Sequence, residues 1–397
     1  MTHRGACASC LARAWLLERL AGHLEVKRGS TAMLLALDDE SLVEALAGQE
    51  ARSVRHAFAA FDADAARRRH AASRVATLCR CDPDYPPALG ALPTPPAVLH
   101  FALPAPESAA LDRAALDPAA LDGTAALDAA VAARRWLGAL GVAPVAAIVG
   151  ARRASPYALE AARSLARGVS EAGVTVVSGM AQGVDAAAHE GALGARASTV
   201  AVLACAPERA YPRTVRGLHR RLVAEGLVIS ELGPGVRPRR WMFPARNRII
   251  AALAGITVVV AAARGSGALL TAACARELGR RLGAVPGPIF APLAFGPHQL
   301  LRDGARLVTE HGDILAALGV PADSAERSAA KRAGVQARAG LPIALRRLLE
   351  ELANGNPPVA AFAAAGFGTA DGLAALAELE LAGRVRRGPG GSVTVAG

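Results

Sequence analysis

From Val145 onward the chain alternates short β-branched runs with stretches of helical periodicity, and no other feature so narrows the folds open to it. The runs are Val145 to Val149, Val174 to Ser178, Thr199 to Ala204, Leu227 to Ser230, Ile256 to Val260 and Leu282 to Val285. Strand-length apolar runs separated by helix-length segments predict a doubly wound, mostly parallel sheet, because parallel neighbours need long crossovers that helices supply. The expected class is therefore α/β and Rossmann-like.

The flanks follow a different pattern. Residues 1–75 show apolar spacing of helical type, as in Leu16, Leu17, Leu20 and Leu42, Val43, Leu46, and are expected to form a small helical domain of the SAM or helix-hairpin-helix kind. Residues 76–130 hold a proline-clustered stretch (DPDYPPALGALPTPPAVLHFALPAP), expected to be an extended, irregular arm, and a low-complexity Ala-Leu-Asp insertion expected to be mobile. The Rossmann-like domain is assigned to 131–320, an Ala, Ser and Arg-rich linker to 321–340, and a winged helix to 341–397. In that last segment three helical patterns precede RVRRGPGGSVTVA, where Gly-Pro-Gly-Gly suits a hairpin turn.

The net charge of +11 on 397 residues favours a polyanionic partner, although a basic surface also serves solubility. Only 4% of residues are aromatic, so recognition must lean on charge and backbone. No run of eighteen uncharged apolar residues occurs, and the first thirty residues carry charges throughout, so neither a membrane span nor a signal peptide is expected and the cytoplasm is the expected compartment. Six cysteines are too few for a disulfide framework. Cys7 and Cys10 form a CxxC, and Cys79 and Cys81 a CxC, which together could give four thiolates to one zinc. The CxC pair is unusual for zinc and sixty-eight residues separate the pairs, so free thiols are the preferred expectation.

Three βα turns are candidates for anion binding. After the first run comes Gly150-Ala151-Arg152-Arg153-Ala154-Ser155-Pro156, with Ser155 suited to cap a helix and Pro156 to begin it. Free N–H groups and the helix dipole there favour phosphate, and Arg152 adds a fork of donors. For this turn alone an ordinary tight connection accounts for the residues equally well. After the second run, Ser178-Gly179-Met180-Ala181-Gln182-Gly183-Val184-Asp185 repeats the pattern, with Asp185 expected as the helix cap. A third loop, Gly265-Ser266-Gly267-Ala268, places Ser266 as a cap beside Gly267. His189 has no nucleophile or second base near it in sequence and is expected to pack within the domain. The segment Leu232 to Arg276 contains seven arginines and no acidic residue, with Trp241 and Phe243 among them, the composition of a single-strand groove. There is no P-loop motif, no paired carboxylate at these loops and no metal-ligand cluster beside them, so no cofactor is expected.

These residues resemble the DNA-processing protein A family, DprA or Smf. The likeness runs through YPPALGALPTPPAVL, VGARRASPY, SGMAQGVDAAAH, the YPR after the third run, ISELGPG, FPARNRIIAAL, SGALLTA, AVPG and DGARLV, most of residues 82 to 316. It implies a non-catalytic, cytoplasmic protein that binds incoming single-stranded DNA, forms a homodimer and helps load the RecA recombinase in natural transformation. It also implies a phosphate pocket built from Gly150, Arg152, Ser178, Gly179, Arg240, Phe243, Arg246, Asn247 and Arg248, with Ser155, Gly183, Asp185, Ser266 and Gly267 as supporting loop residues. The chain departs from the family at Cys205, Ala206, Ala158, Ala261 and His298. The competing expectation is a phosphoribohydrolase-type enzyme, which would also seat a phosphate here but is marked by a PGGxGT loop and a glutamate, where this chain has Arg264 to Leu269 and Ala261. A dinucleotide-dependent oxidoreductase would need a three-glycine fingerprint that the turn lacks. The tail segment carries five basic and five acidic residues, which favours protein contact over duplex DNA for the winged helix.

Overall fold

The structure is a computed structural model that describes residues 5–104, 144–195, 199–321, 342–354, 356–381, 384–387 and 393–395. The Ala-Leu-Asp insertion, residues 322–340 of the linker and the Gly-Pro-Gly-Gly turn fall outside the described residues. The chain divides into two compact units, 1–321 and 322–397.

The first unit is organised by a nine-stranded sheet. Its strands are β1 (Val75–Cys79), β2 (Val98–Ala102), β3 (Val145–Val149), β4 (Thr175–Ser178), β5 (Thr199–Leu203), β6 (Leu227–Ser230), β7 (Ile256–Val259), β8 (Arg281–Ala284) and β9 (Arg306–Leu307). They lie in the order β1-β2-β6-β5-β4-β3-β7-β8-β9. From β6 through β9 every pairing is parallel, as the six runs predict, while β1 pairs antiparallel with β2 and β2 antiparallel with β6. The chain winds from β3 out to β6 and then returns to place β7 on the other side of β3, so the strand order switches between β3 and β7. At such a switch the loops leaving the carboxyl ends of neighbouring strands diverge and open a crevice.

The arm differs from its expectation. Val98–Ala102 is not irregular backbone but a fully buried strand of the sheet. No proline falls between Pro96 and Pro104, so the VLHFA run between them is free to donate to a ladder. A short unpunctuated apolar run cannot be told from an extended tether by composition alone, and its partner β6 lies over a hundred residues on.

Helices between Ala8 and Ala72 form the N-terminal part, and they are not closed on themselves. Leu16, Leu20, Leu24, Leu42 and Leu46 share one apolar cluster with Leu232, Trp241, Met242 and Ala245. The second unit packs the helices Ile343–Ala353, Pro358–Ala364 and Thr369–Leu381 on Leu348, Phe362, Leu379 and Val385, with the antiparallel strands β10 (Val385–Arg387) and β11 (Val393–Val395) as the wing. This is the expected winged helix. Among the described residues no single helix is long and apolar enough to cross a membrane.

Two imidazoles are fully buried in the first unit. Burial drives the pKa of His100 from 6.5 down to about 3, with a smaller contribution from neighbouring His70, and burial does the same to His189. The folded pKa lies below the unfolded one, so the unfolded chain binds more protons between those values. The stability contributed by the neutral rings is present above pH 6.5 and is lost as the pH falls towards 3, at up to about 1.4 kcal/mol per pH unit for each ring. Urea denaturation at pH 7 and pH 5 should differ by on the order of 2 kcal/mol per histidine from this source. His189→Gln should flatten that dependence, and an unchanged pH profile in this variant would contradict the assignment.

Candidate nucleic-acid interface

The loop after β3 is held tightly from below. A Cβ on Gly150 would lie 2.7 Å from a methyl of Val184, so only glycine lets this turn rest on the helix Val184–Ala192. Ser155 accepts a hydrogen bond from the Ala158 N–H at 3.2 Å and Pro156 opens the helix Pro156–Glu171, as expected. The loop leaves Arg152 and Arg153 exposed above the sheet edge.

The loop after β4 is arranged differently from its expectation. Asp185 does not cap its helix, whose N-cap is Gly183 at φ 92°. It sits one position inside the first turn, and its carboxylate accepts from the Gly150 N–H at 3.3 Å, the Gly179 N–H at 3.2 Å and the Ala181 N–H at 3.4 Å. A single buried carboxylate therefore joins the loops of β3 and β4 and occupies the backbone donors of Gly150 and Gly179 that the sequence assigns to phosphate. Burial raises the Asp185 pKa, opposed by the charge of Arg246 and by those N–H donors. Gly183 is also fixed by space, since a Cβ there would meet the Ala151 carbonyl oxygen at 2.3 Å. Ser178 turns inward, and its hydroxyl donates to the Ile148 carbonyl at 2.6 Å, tying β4 to β3.

The helix Met242–Leu253 supplies the side chains. Arg246 is buried and donates to the Val202 carbonyl. Its guanidinium lies where a Cβ of residue 179 would be, 2.0 Å from that position, so Gly179 is a cradle for Arg246. Asn247 donates to the Gly267 carbonyl at 3.3 Å and so anchors the third loop, where Ser266 caps the helix Gly267–Glu277 by accepting from Ala268. Phe243 is half-buried, with the Arg152 guanidinium 5.2 Å from its ring centre and the Tyr211 ring 5.9 Å away at a tilt.

Two adjoining cavities share Arg152, Ala181, Phe243 and Arg246. One, of about 250 Å³, runs beneath Gly150 to Asn247, Ser266 and Gly267, at the switch between β3 and β7. The other, of about 130 Å³, is closed by Gly179, Cys205 and Tyr211. Two guanidiniums against one carboxylate leave the space positive, which suits an anion held by side chains in a partly open cleft. His189 does not line either cavity, and its Nδ1 is bonded to the Thr199 hydroxyl at 2.8 Å.

Other expected members of the site lie elsewhere. Arg240 is exposed just ahead of the Met242–Leu253 helix and does not line the cavities. Arg248 faces away from them: it makes a bidentate pair with Glu231 at 2.7 and 2.8 Å and donates to the Thr94 carbonyl at 3.1 Å. Trp241 is core rather than a stacking platform, its indole N–H donating to the Ala21 carbonyl at 3.0 Å. The acid-free segment is in fact flanked by carboxylates from outside it. Glu18 accepts from Gly233, Glu208 from Gly235 and Glu25 from Trp241. Tyr211 is the member that sequence reasoning left out of the site, although the Tyr-Pro-Arg motif that contains it is recognisable in the sequence.

A positively charged, aromatic-lined pocket at the switch point of a doubly wound sheet marks the chain as a Rossmann-like protein whose sheet edge presents cations beside rings. Residues 138–319 match the family described as DNA recombination-mediator protein A, and residues 336–391 match the DprA winged helix domain. Protein Smf of Synechocystis is 31% identical over 310 residues, 77% of this chain and 69% of that protein. The chain belongs to the DNA-processing protein A, or Smf, family. A putative DNA processing protein DprA of Mycobacterium tuberculosis is 48% identical over 179 residues, 45% of this chain, and the match spans about half the length of that relative, 46%. The crystal structure of DNA processing protein A from Streptococcus pneumoniae matches with a TM-score of 0.56 at 27% identity, covering 78% of this chain and 95% of that one.

Because Arg248 and Glu231 are each only 12% exposed, removing one partner strands a charge away from water. Arg248→Ala should lower unfolding free energy by about 3 kcal/mol. Chemical denaturation measures this, and a variant as stable as the parent would show that the pair contributes nothing.

Proposed function

We propose that the protein binds single-stranded DNA without turnover, holding backbone phosphates between Arg152 and Arg246 and stacking bases on Phe243 and Tyr211. The observation that carries this is the exposed Arg152 guanidinium set over Phe243 at a cavity lined by buried Arg246. A fixed cation behind the phosphate and a mobile one beside a ring suit a charged backbone with unpaired bases. Gly150, Asn247, Ser266 and Gly267 shape the cavity wall, and Arg240 extends the charge along the strand outside it. Ser178, Gly179, Asp185 and Gly183 act from beneath by fixing the loops. Absence of catalysis is supported by the lining residues, among which the one carboxylate, Asp185, is buried with its oxygens taken up by three N–H donors and no imidazole is found. Membership of the family supports a cytoplasmic homodimer that passes DNA to RecA.

Fluorescence anisotropy with a labelled oligo-dT tests the reading. Binding should weaken steeply with salt, and Arg152→Ala should reduce the slope of log affinity against log salt by about 0.7, one phosphate contact on a single strand. Mixed-sequence DNA should bind about as well as oligo-dT, and Arg152→Ala binding with unaltered affinity and slope would place the groove elsewhere. Gly179→Ala, which displaces the Arg246 guanidinium without touching the surface, should weaken binding while circular dichroism remains that of the parent. Release of base from nucleoside monophosphates would overturn the non-catalytic assignment in favour of a phosphoribohydrolase.

A further inference from the structure

Far from these loops in sequence, the fold brings Cys7, Cys10, Cys79 and Cys81 together, with their four sulfurs all within 4.8 Å of one another. We propose that they form a closed, structural zinc site that pins the first helix to the edge of the sheet. The objection raised by spacing was the sixty-eight residues between the pairs, and the tertiary structure removes it: β1 delivers Cys79 at its last position and Cys81 in the turn beyond, directly against the N-terminus of the helix Ala8–Arg19.

Three observations favour a metal over four ordinary thiols. The Cys10 and Cys81 sulfurs are 3.7 Å apart. A tetrahedral ion with bonds of about 2.3 Å sets its sulfurs about 3.8 Å apart, whereas a disulfide needs about 2.05 Å. Cys7 is the N-cap of the helix and Cys10 lies in its first turn, where the helix dipole favours thiolates, and the Cys7 N–H donates to the Cys79 sulfur at 3.5 Å. The remaining two cysteines, the buried Cys205 and the half-buried Cys274, stand apart from this group.

Four protein sulfurs fill a tetrahedral shell and leave no position for water or substrate, which makes the site structural. Cys10 and Cys79 are buried among Ala6, Leu11, Ala14, Ala97 and Val98, while Cys81 is exposed and gives the ion a way in. Binding takes one Zn²⁺ and releases the four thiol protons, with no change of oxidation state. The consequence reaches the DNA-facing side of the unit. The same helix carries Glu18, which accepts from Gly233, and the helix that follows it, Ala21–Val26, supplies the Ala21 carbonyl to Trp241. Zinc at the start of the helix thus steadies the backbone that presents Arg237, Arg239 and Arg240.

Elemental analysis of full-length protein purified without chelator should give one zinc per chain. Co²⁺ titrated into the chelated, reduced protein should produce the ligand-field and thiolate charge-transfer bands of a four-sulfur tetrahedral site, saturating at one equivalent. Cys10→Ser with Cys79→Ser should abolish both, and Cys205→Ser should change neither. Chelation should also make the Arg237 to Arg240 segment more sensitive to trypsin. Metal-free protein that gives no cobalt bands overturns the proposal, as do stoichiometric iron with sulfide, two disulfides by mass spectrometry, or zinc retained by the double variant. The zinc content and cobalt spectrum of the parent chain decide the matter even if a cysteine variant fails to fold, and neither depends on DNA binding.

Discussion

The carboxylate of Asp185 is the point on which the site turns. It is buried, and it accepts from three N–H groups belonging to two different βα loops. A buried charge without partners would cost several kcal/mol, and here the donors and the nearby charge of Arg246 offset that cost. In return the two loops are held at a fixed separation. The glycines follow from the same constraint: Gly150 must pass close to Val184, and Gly179 must leave room for the Arg246 guanidinium.

This arrangement changes what the sheet edge offers to an anion. In the usual phosphate site of a doubly wound fold the loop N–H groups face the ligand. Here an internal carboxylate takes up those N–H groups, so the donors left facing the cavity are side chains, Arg246 from behind and Arg152 from the front. Side-chain cations tolerate variation in the ligand better than a backbone nest does, which fits a polymer presented in many registers. The surrounding arginine segment is treated likewise. Glu18, Glu25 and Glu208 bind its backbone rather than its guanidiniums, so the chain path is fixed while Arg237, Arg239 and Arg240 stay exposed.

Much of this was legible in the chain. The six β-branched runs predicted the parallel sheet because strand period and crossover length are local properties. Ser155 with Pro156 and the Ser266 cap were legible for the same reason, since a cap depends on three or four consecutive residues. The ion pair of Arg248 was not legible because its partner, Glu231, stands one residue outside the acid-free segment, just past the end of β6, and meets it only in the folded chain. Trp241 looked like a stacking ring among arginines and proved to be the plug of a core shared with residues more than two hundred positions earlier.

The two cysteine pairs mark the same boundary. Their spacing identified each pair, but whether four sulfurs face one another depends on where β1 ends relative to the first helix. The sequence by itself determined the periodicities, the caps, the glycine turns and the inventory of charge, all of which are set by neighbours within a turn or two of chain. Only the tertiary structure decided which arginine meets a carboxylate and which meets solvent, because charge pairing and burial act through space between residues distant in sequence. It also decided that the N–H groups of Gly150 and Gly179 serve Asp185, since competition for a donor is settled by which acceptor the packing brings within about 3 Å.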